Sequence, residues 1–268
     1  MKKTIGFIGA GNMGGALLRA AAQTVPADHI FVSDKNTALL DSVVSEIGCI
    51  AADSLTICAE CDYIFLGVKP QIMPSVCGEI GNTLKNRTSS YTVVSMAAGL
   101  SIEKLWGYLG FDAPVIRIMP NTPVAVGEGM ILYAPAKNVP DGSVSDFLSV
   151  MAKAGRFDLI DEKLIDAASA VSGSGPAYAY LFMEALADGG VACGLPRAKA
   201  MTYAAQMVVG AAKMVLETGN HPGQLKDNVC SPGGTTIVGV RALEEHGFRA
   251  AAMDAVIAAY EKTLELGK

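Results

Sequence analysis

Gly9-Ala10-Gly11-Asn12-Met13-Gly14 stands between a short apolar run, Lys3–Gly9, and a stretch with helical spacing that begins near residue 12. A G-x-G-x-x-G sequence in that position is a strand-to-helix turn: the first glycine permits the tight bend, the second a close approach of backbone to a ligand, the third close packing of helix on strand. The uncapped amides at the start of such a helix attract phosphate, so the hexapeptide reads as a dinucleotide pyrophosphate site; the alternative is a glycine turn with no ligand.

The rest of the first half agrees with a helix-flanked sheet. Apolar runs at Ile30–Ser33, Tyr63–Val68, Thr92–Met96, Val115–Met119, Met130–Tyr133 and Arg156–Ile160 alternate with helical patterns near 36–46, 71–85, 101–108 and 141–154. Strands apolar on both faces that alternate with helices imply an α/β, doubly wound, mostly parallel sheet of Rossmann type. Beyond about residue 162 the strand signal stops. Leu164–Ser172, Pro176–Cys193, Pro196–Thr218, Gly234–His246 and Arg249–Leu266 carry helical spacing, which gives a dinucleotide-binding domain over 1–161 and an all-α domain over 162–268. Pro176–Gly194 and Pro196–Gly219 are apolar on most faces, as helices buried across a dimer interface are; a monomeric helical core is the alternative.

Composition removes several classes of function. With 51% apolar and 18% charged residues the chain is too hydrophobic to stay disordered, and a net charge of −5 without a basic block leaves nothing to neutralise a nucleic-acid backbone. The charged start Met1-Lys2-Lys3 runs into glycine-broken sequence instead of an export signal. The charge-free run Ala167–Met183 is interrupted by Ser172-Gly-Ser-Gly-Pro176, so no membrane span is expected and the location is read as cytoplasmic. Of six cysteines only Cys58 and Cys61 are closely spaced, no second pair completes a zinc set, and buried reduced thiols are expected.

Asp34, twenty residues past Gly14, ends the second run, where a carboxylate accepts hydrogen bonds from the adenosine ribose of NADH. Ser33, Lys35 and Asn36 beside it could instead hold the 2′-phosphate of NADPH if Asp34 turned away, and the residues leave both cofactors open. Three later exits fall on the same edge of the sheet: Gly67-Val68-Lys69-Pro70, Ser95-Met96-Ala97-Ala98-Gly99 and Met119-Pro-Asn121-Thr-Pro123. Each reads as a cofactor-lining loop or as a plain turn. In the second half, Cys230-Ser231-Pro-Gly233-Gly234-Thr235-Thr236 opens a helix, either as an anion site for a small carboxylate with a hydroxyl to spare or as an ordinary helix start.

Taken in order, the glycine turn, Val68-Lys69-Pro70, Met119–Pro123, Gly173-Ser-Gly-Pro-Ala-Tyr178, His221-Pro-Gly-Gln-Leu-Lys-Asp227 and Ser231–Thr236 resemble the pyrroline-5-carboxylate reductases nearly end to end. The last motif is the most specific. The resemblance implies reduction of L-1-pyrroline-5-carboxylate to L-proline by NADPH or NADH, the final step of proline biosynthesis, on a Rossmann domain joined to a helical dimerisation domain. It implies a homodimer able to assemble into larger rings, and no metal. It places the substrate carboxylate on Ser231, Gly233, Gly234 and Thr235, the ring nitrogen on Thr236, Glu162 near the substrate, and Asn228 near the nicotinamide. Val68, Lys69, Pro70, Met96, Ala97 and Ala98 would line the cofactor. Asp34 departs from the small polar residue suited to a 2′-phosphate.

Two rivals differ in testable features. A β-hydroxyacid dehydrogenase needs a helical catalytic Lys with a downstream Asn, and Lys213 lacks that partner; a dinucleotide sensor has no use for a second anion site.

Overall fold

The computed structural model describes residues 3–266. Met1 and Lys2 of the charged start lie outside the described residues. Eight strands form one sheet in the order β3-β2-β1-β4-β5-β6-β7-β8. They are β1 (Ile5–Ile8), β2 (Ile30–Ser33), β3 (Ile50–Ala51), β4 (Tyr63–Leu66), β5 (Thr92–Ser95), β6 (Val115–Met119), β7 (Gly129–Pro135) and β8 (Gly155–Leu159). Every pairing is parallel except β6 with β7.

Strands β1, β4, β5 and β6 are buried along their whole length, as residues covered on both faces must be. On one face Phe7 and Phe65 stack at 4.4 Å and pack with α1 (Asn12–Ala21), α2 (Thr37–Ile47) and α6 (Ser143–Val150). The other face is covered by α3 (Ser54–Glu60), α4 (Met73–Lys85) and α5 (Ile102–Leu109). This is the doubly wound sheet the alternation implies.

Several local expectations need correction. Nothing in the apolar pattern indicated β3 or α3. Strand β3 is a two-residue exposed edge paired to β2, and α3 starts because Oδ1 of Asp53 accepts the N–H of Thr56 at 2.7 Å. That contact holds the Asp53 carboxyl below the ordinary range. Strand β7 extends beyond Met130–Tyr133 at both ends. Helix α1 ends at Ala21, and α6 is shorter than 141–154.

The helical half contains α7 (Ile165–Ser172), α8 (Gly175–Ala192), α9 (Arg197–Thr218), α10 (Pro222–Val229), α11 (Thr235–Glu245) and α12 (Phe248–Leu266). Helix α10 had been legible only as a motif. It begins with proline in the first turn, and Nδ1 of His221 accepts the N–H of Gly223 at 3.0 Å. One compact unit runs to Ser174 and includes the chain from Ala259 onward; the other is Gly175–Ala258. The division by contacts therefore falls after α7, whereas the loss of strand pattern falls near 162.

Within the second unit α8 and α9 approach through small residues. Ala187, Ala200 and Ala204 are buried, and a Cβ on Gly190 would lie 3.2 Å from that of Ala200. The hydroxyl of Tyr178 donates to the carbonyl of Ala255 at 3.1 Å, and the rings of Phe182 and Phe248 meet at 5.6 Å. The apolar side chains on most other faces are not covered within the chain: Leu181 is 68% exposed and Leu216 65%.

The thiols divide. Cys49, Cys58, Cys61 and Cys77 are buried as expected, and desolvation pushes Cys58 and Cys61 up to about 12. Cys193 is exposed and Cys230 half-buried, contrary to a uniform burial of cysteines.

A Cβ added at Gly14 would sit 2.3 Å from the carbonyl oxygen of Gly9. Gly14→Ala is therefore expected to cost about 1–3 kcal/mol of stability, measured by urea unfolding, since backbone on both sides must move. A variant as stable as wild type would show that α1 can lift from β1 freely.

Candidate active site

The first part of the site lies where the sheet order reverses, with β1 flanked by β2 and β4. Ligands of open α/β sheets bind at that reversal, outside the carboxyl ends of the strands. Here the N–H of Gly9 donates to the carbonyl of Ser33 and that of Gly67 to Ile8, both at 2.8 Å. Gly9 has φ +98°, a conformation that side chains with a Cβ rarely adopt, and its missing Cβ would lie 2.8 Å from the backbone of Gly67.

Gly11 is different. A Cβ there would meet nothing within 4 Å, so the absence of a side chain leaves open space where a ligand can reach the backbone. Gly11 also caps α1 without any side-chain acceptor, which leaves the first-turn amides of Asn12, Met13 and Gly14 pointing out of the helix start. An exposed second glycine and an uncapped helix fit a pyrophosphate group.

The other expected cofactor residues reach the same edge. Cγ1 of Val68 would lie 3.1 Å from a Cβ on Gly9; Lys69 is exposed, and Pro70 opens the 3-10 turn Pro70–Ile72. Past β5, Met96 is half-buried against the core, Ala97 buried and Ala98 exposed. Ser33 and Asp34 follow β2. The Asp34 carboxylate accepts the N–H of Ala10 at 2.7 Å through Oδ2 and that of Asn36 at 2.8 Å through Oδ1.

Glu162 is held by two contacts within the first unit. Its Oε1 accepts the N–H of Ile102, the first residue of α5, at 2.7 Å and lies 3.4 Å from Nη1 of Arg117. Nη2 of Arg117 pairs with Asp166 at 2.5 Å. Arg117 is 2% exposed, and next to it in register on β5 is Ser95. Sequence reasoning passed over Arg117, although one arginine inside Val-Ile-Arg-Ile-Met was a readable signal of a buried charge with partners. Glu162 thereby anchors the start of α5 and the chain entering α7. Asn121 is likewise structural in part: its Nδ2 donates to the carbonyl of Ser172 at 2.9 Å and its Oδ1 accepts the N–H of Met130 at 2.9 Å.

The second unit carries the other feature expected to bind an anion. Ser231-Pro232-Gly233-Gly234 is a tight turn in which the N–H of Gly234 donates to the carbonyl of Ser231 at 3.0 Å. Proline at the second position and glycine with φ +67° at the third match a type II turn. Gly234, expected among the carboxylate donors, thus spends its amide on the turn. The amide of Gly233 and the first-turn amides of α11, Thr235 and Thr236, have no such commitment, and α11 has no side-chain cap. Asn228 is exposed on α10, with Oδ1 accepting from Nε2 of Gln224 at 3.0 Å, and Lys213 is exposed on α9.

Comparison with known proteins decides the family. The profile described as "Pyrroline-5-carboxylate reductase dimerisation" matches residues 162–266, and the one described as "NADP oxidoreductase coenzyme F420-dependent" matches residues 4–99. The pyrroline-5-carboxylate reductase of Escherichia coli strain K12 is 46% identical over the whole of both chains. The chain belongs to the pyrroline-5-carboxylate reductase family. The reductase of Methanosarcina acetivorans is 43% identical over 98% of both chains. A crystal structure of the Plasmodium falciparum pyrroline carboxylate reductase with NADP bound superposes with a TM-score of 0.87 at 36% identity, covering 100% of each chain. Family membership removes the dehydrogenase and sensor rivals.

Two substitutions test the geometry. Gly11→Ala is expected to leave the urea midpoint unchanged while weakening NAD(P)H binding at least about tenfold, because the new methyl enters only ligand space. Arg117→Met strands Glu162 and Asp166 and is expected to cost about 3 kcal/mol in the same unfolding measurement. A loss under about 1 kcal/mol would show that the two carboxylates reach water without it.

Proposed function

We infer that this chain reduces L-1-pyrroline-5-carboxylate to L-proline with NAD(P)H, closing proline biosynthesis. The observation that carries the assignment of residues is the Ser231–Gly234 turn feeding an uncapped α11 in a chain of this family.

Bound NAD(P)H supplies the hydride. The chain's own task is orientation and charge, since a protonated C=N bond is already a strong electrophile. The amides of Gly233, Thr235 and Thr236, at the positive end of α11, suit the substrate carboxylate and fix which ring face is presented. The Thr236 hydroxyl is both donor and acceptor. It accepts from the N–H of the protonated imine and, as the C=N electrons move onto nitrogen, donates to the lone pair of the amine formed. Ser231 contributes by closing the turn. Glu162 acts as an anchor through Arg117 and Ile102. Asn228 is read as the nicotinamide contact, and Val68, Lys69 and Met96–Ala98 as the cofactor wall.

The uncovered apolar side chains of the second unit, Leu181 and Leu216 among them, are read as the surface that joins two copies into a homodimer. Sedimentation separates a lone dimer from a ring of dimers. Among the described residues no helix is long and apolar enough to cross a membrane, and we place the enzyme in the cytoplasm with its cofactor.

Mixing the purified protein with pyrroline-5-carboxylate and NADH or NADPH is expected to give imine-dependent cofactor oxidation. Thr236→Ala should lower kcat at least about tenfold with an unchanged melting temperature and little change in KM, because the lost hydrogen bond strengthens during reaction. Wild-type turnover in that variant would overturn the role of Thr236.

A further inference from the structure

Asp34 is tied to backbone on two sides. Oδ2 accepts the N–H of Ala10 in the glycine turn and Oδ1 that of Asn36, the residue whose own Oδ1 caps α2 through the N–H of Leu39 at 3.2 Å. We propose that this pinned carboxylate makes the chain select NADH over NADPH, which rests on the reading of Gly9–Gly14 as the cofactor turn. An ionised carboxylate has about four lone-pair sites, so each Asp34 oxygen still has a free acceptor position for a ribose hydroxyl. A 2′-phosphate brings acceptors and negative charge to a negative charge already in place.

A 2′-phosphate could be admitted if the aspartate turned aside, and the structure opposes that movement. Ala10 is 2% exposed, so withdrawing Asp34 would leave a buried N–H without an acceptor and release the start of α2. Of the neighbouring donors, Lys35 is exposed and its ammonium solvated, a weaker influence than a fixed charge. The same two amides acquire the opposite meaning once the carboxylate is removed: Ala10 and Asn36 would then offer N–H donors to a phosphate.

The test is calorimetric titration of the full chain with NADH and with NADPH, for wild type, Asp34→Ser and Asp34→Asn, beside turnover with pyrroline-5-carboxylate. Wild type is expected to bind NADH at least about tenfold more tightly. Asp34→Ser should reverse or abolish that ratio. Asp34→Asn keeps one acceptor but removes the charge, and should also narrow it. If both variants weaken the two cofactors by the same factor, Asp34 is only a brace and the proposal fails, as it does if wild type prefers NADPH or binds neither. Preferential NADH binding without any turnover would instead leave this inference standing and overturn the reductase reading.

Discussion

At the end of β1 three stretches of backbone occupy space that no side chain can share. The missing Cβ of Gly9 would touch Gly67, that of Gly14 would touch Gly9, and that of Gly67 would lie 2.5 Å from the Gly9 carbonyl oxygen. This contact lets α1 start directly above the junction of β1 and β4, where the strand order reverses. The helix's unpaired amides consequently face the crevice instead of solvent at large. Had any of the three carried a side chain, α1 would stand further off. Gly11, the one glycine of the turn with no neighbour to avoid, is then explained by what has to approach from outside.

The buried ion network serves a comparable end by different means. A lone guanidinium inside β6 would be prohibitively desolvated, but Arg117 meets carboxylates from the segment that follows the sheet, Glu162 and Asp166. Because Glu162 also takes the first amide of α5, one cation fixes both where the β5 exit ends and how the chain turns toward α7. Such pairs add little net stability over an apolar replacement; their usual contribution is specificity of arrangement. That suits the loop after β5, whose residues Met96 to Ala98 we read as part of the cofactor wall.

Much of the fold was legible because buried parallel strands leave unbroken apolar runs and the longer helices repeat apolar residues at helical spacing. Strand β3 left no such run, being two exposed residues at an edge, and α3 is too short for periodicity to register. The site was legible as positions more than as roles. Asp34 and Glu162 were found by spacing and by resemblance, yet which way each carboxylate turns depends on amides supplied by distant sequence, Ala10 for one and Ile102 for the other. Likewise the amide of Gly234 looked available until the type II turn consumed it. Pro232 and Gly233 carried that information, since the pair is the signature of that turn.

The two helices we read as anion-binding begin alike, with a glycine and no capping side chain, a start that α6 shares at Gly142. Helices α2, α3, α5 and α10 satisfy a first-turn amide with Asn36, Asp53, Ser101 and His221, a contact whose removal typically costs about 1 kcal/mol. Helices α1 and α11 are instead opened by Gly11 and Gly234, with no capping side chain. A Ser or Asp in place of Gly11, where a Cβ meets nothing within 4 Å, would stabilise the free protein, but its oxygen would occupy the donors and set a partial or full negative charge where we read an anion site. Glycine forgoes that stabilisation and leaves the amides to the ligand. The same logic accounts for Asp34: its carboxylate lies at the margin of the glycine turn, close enough to order Ala10, and the amides of Asn12 to Gly14 stay free.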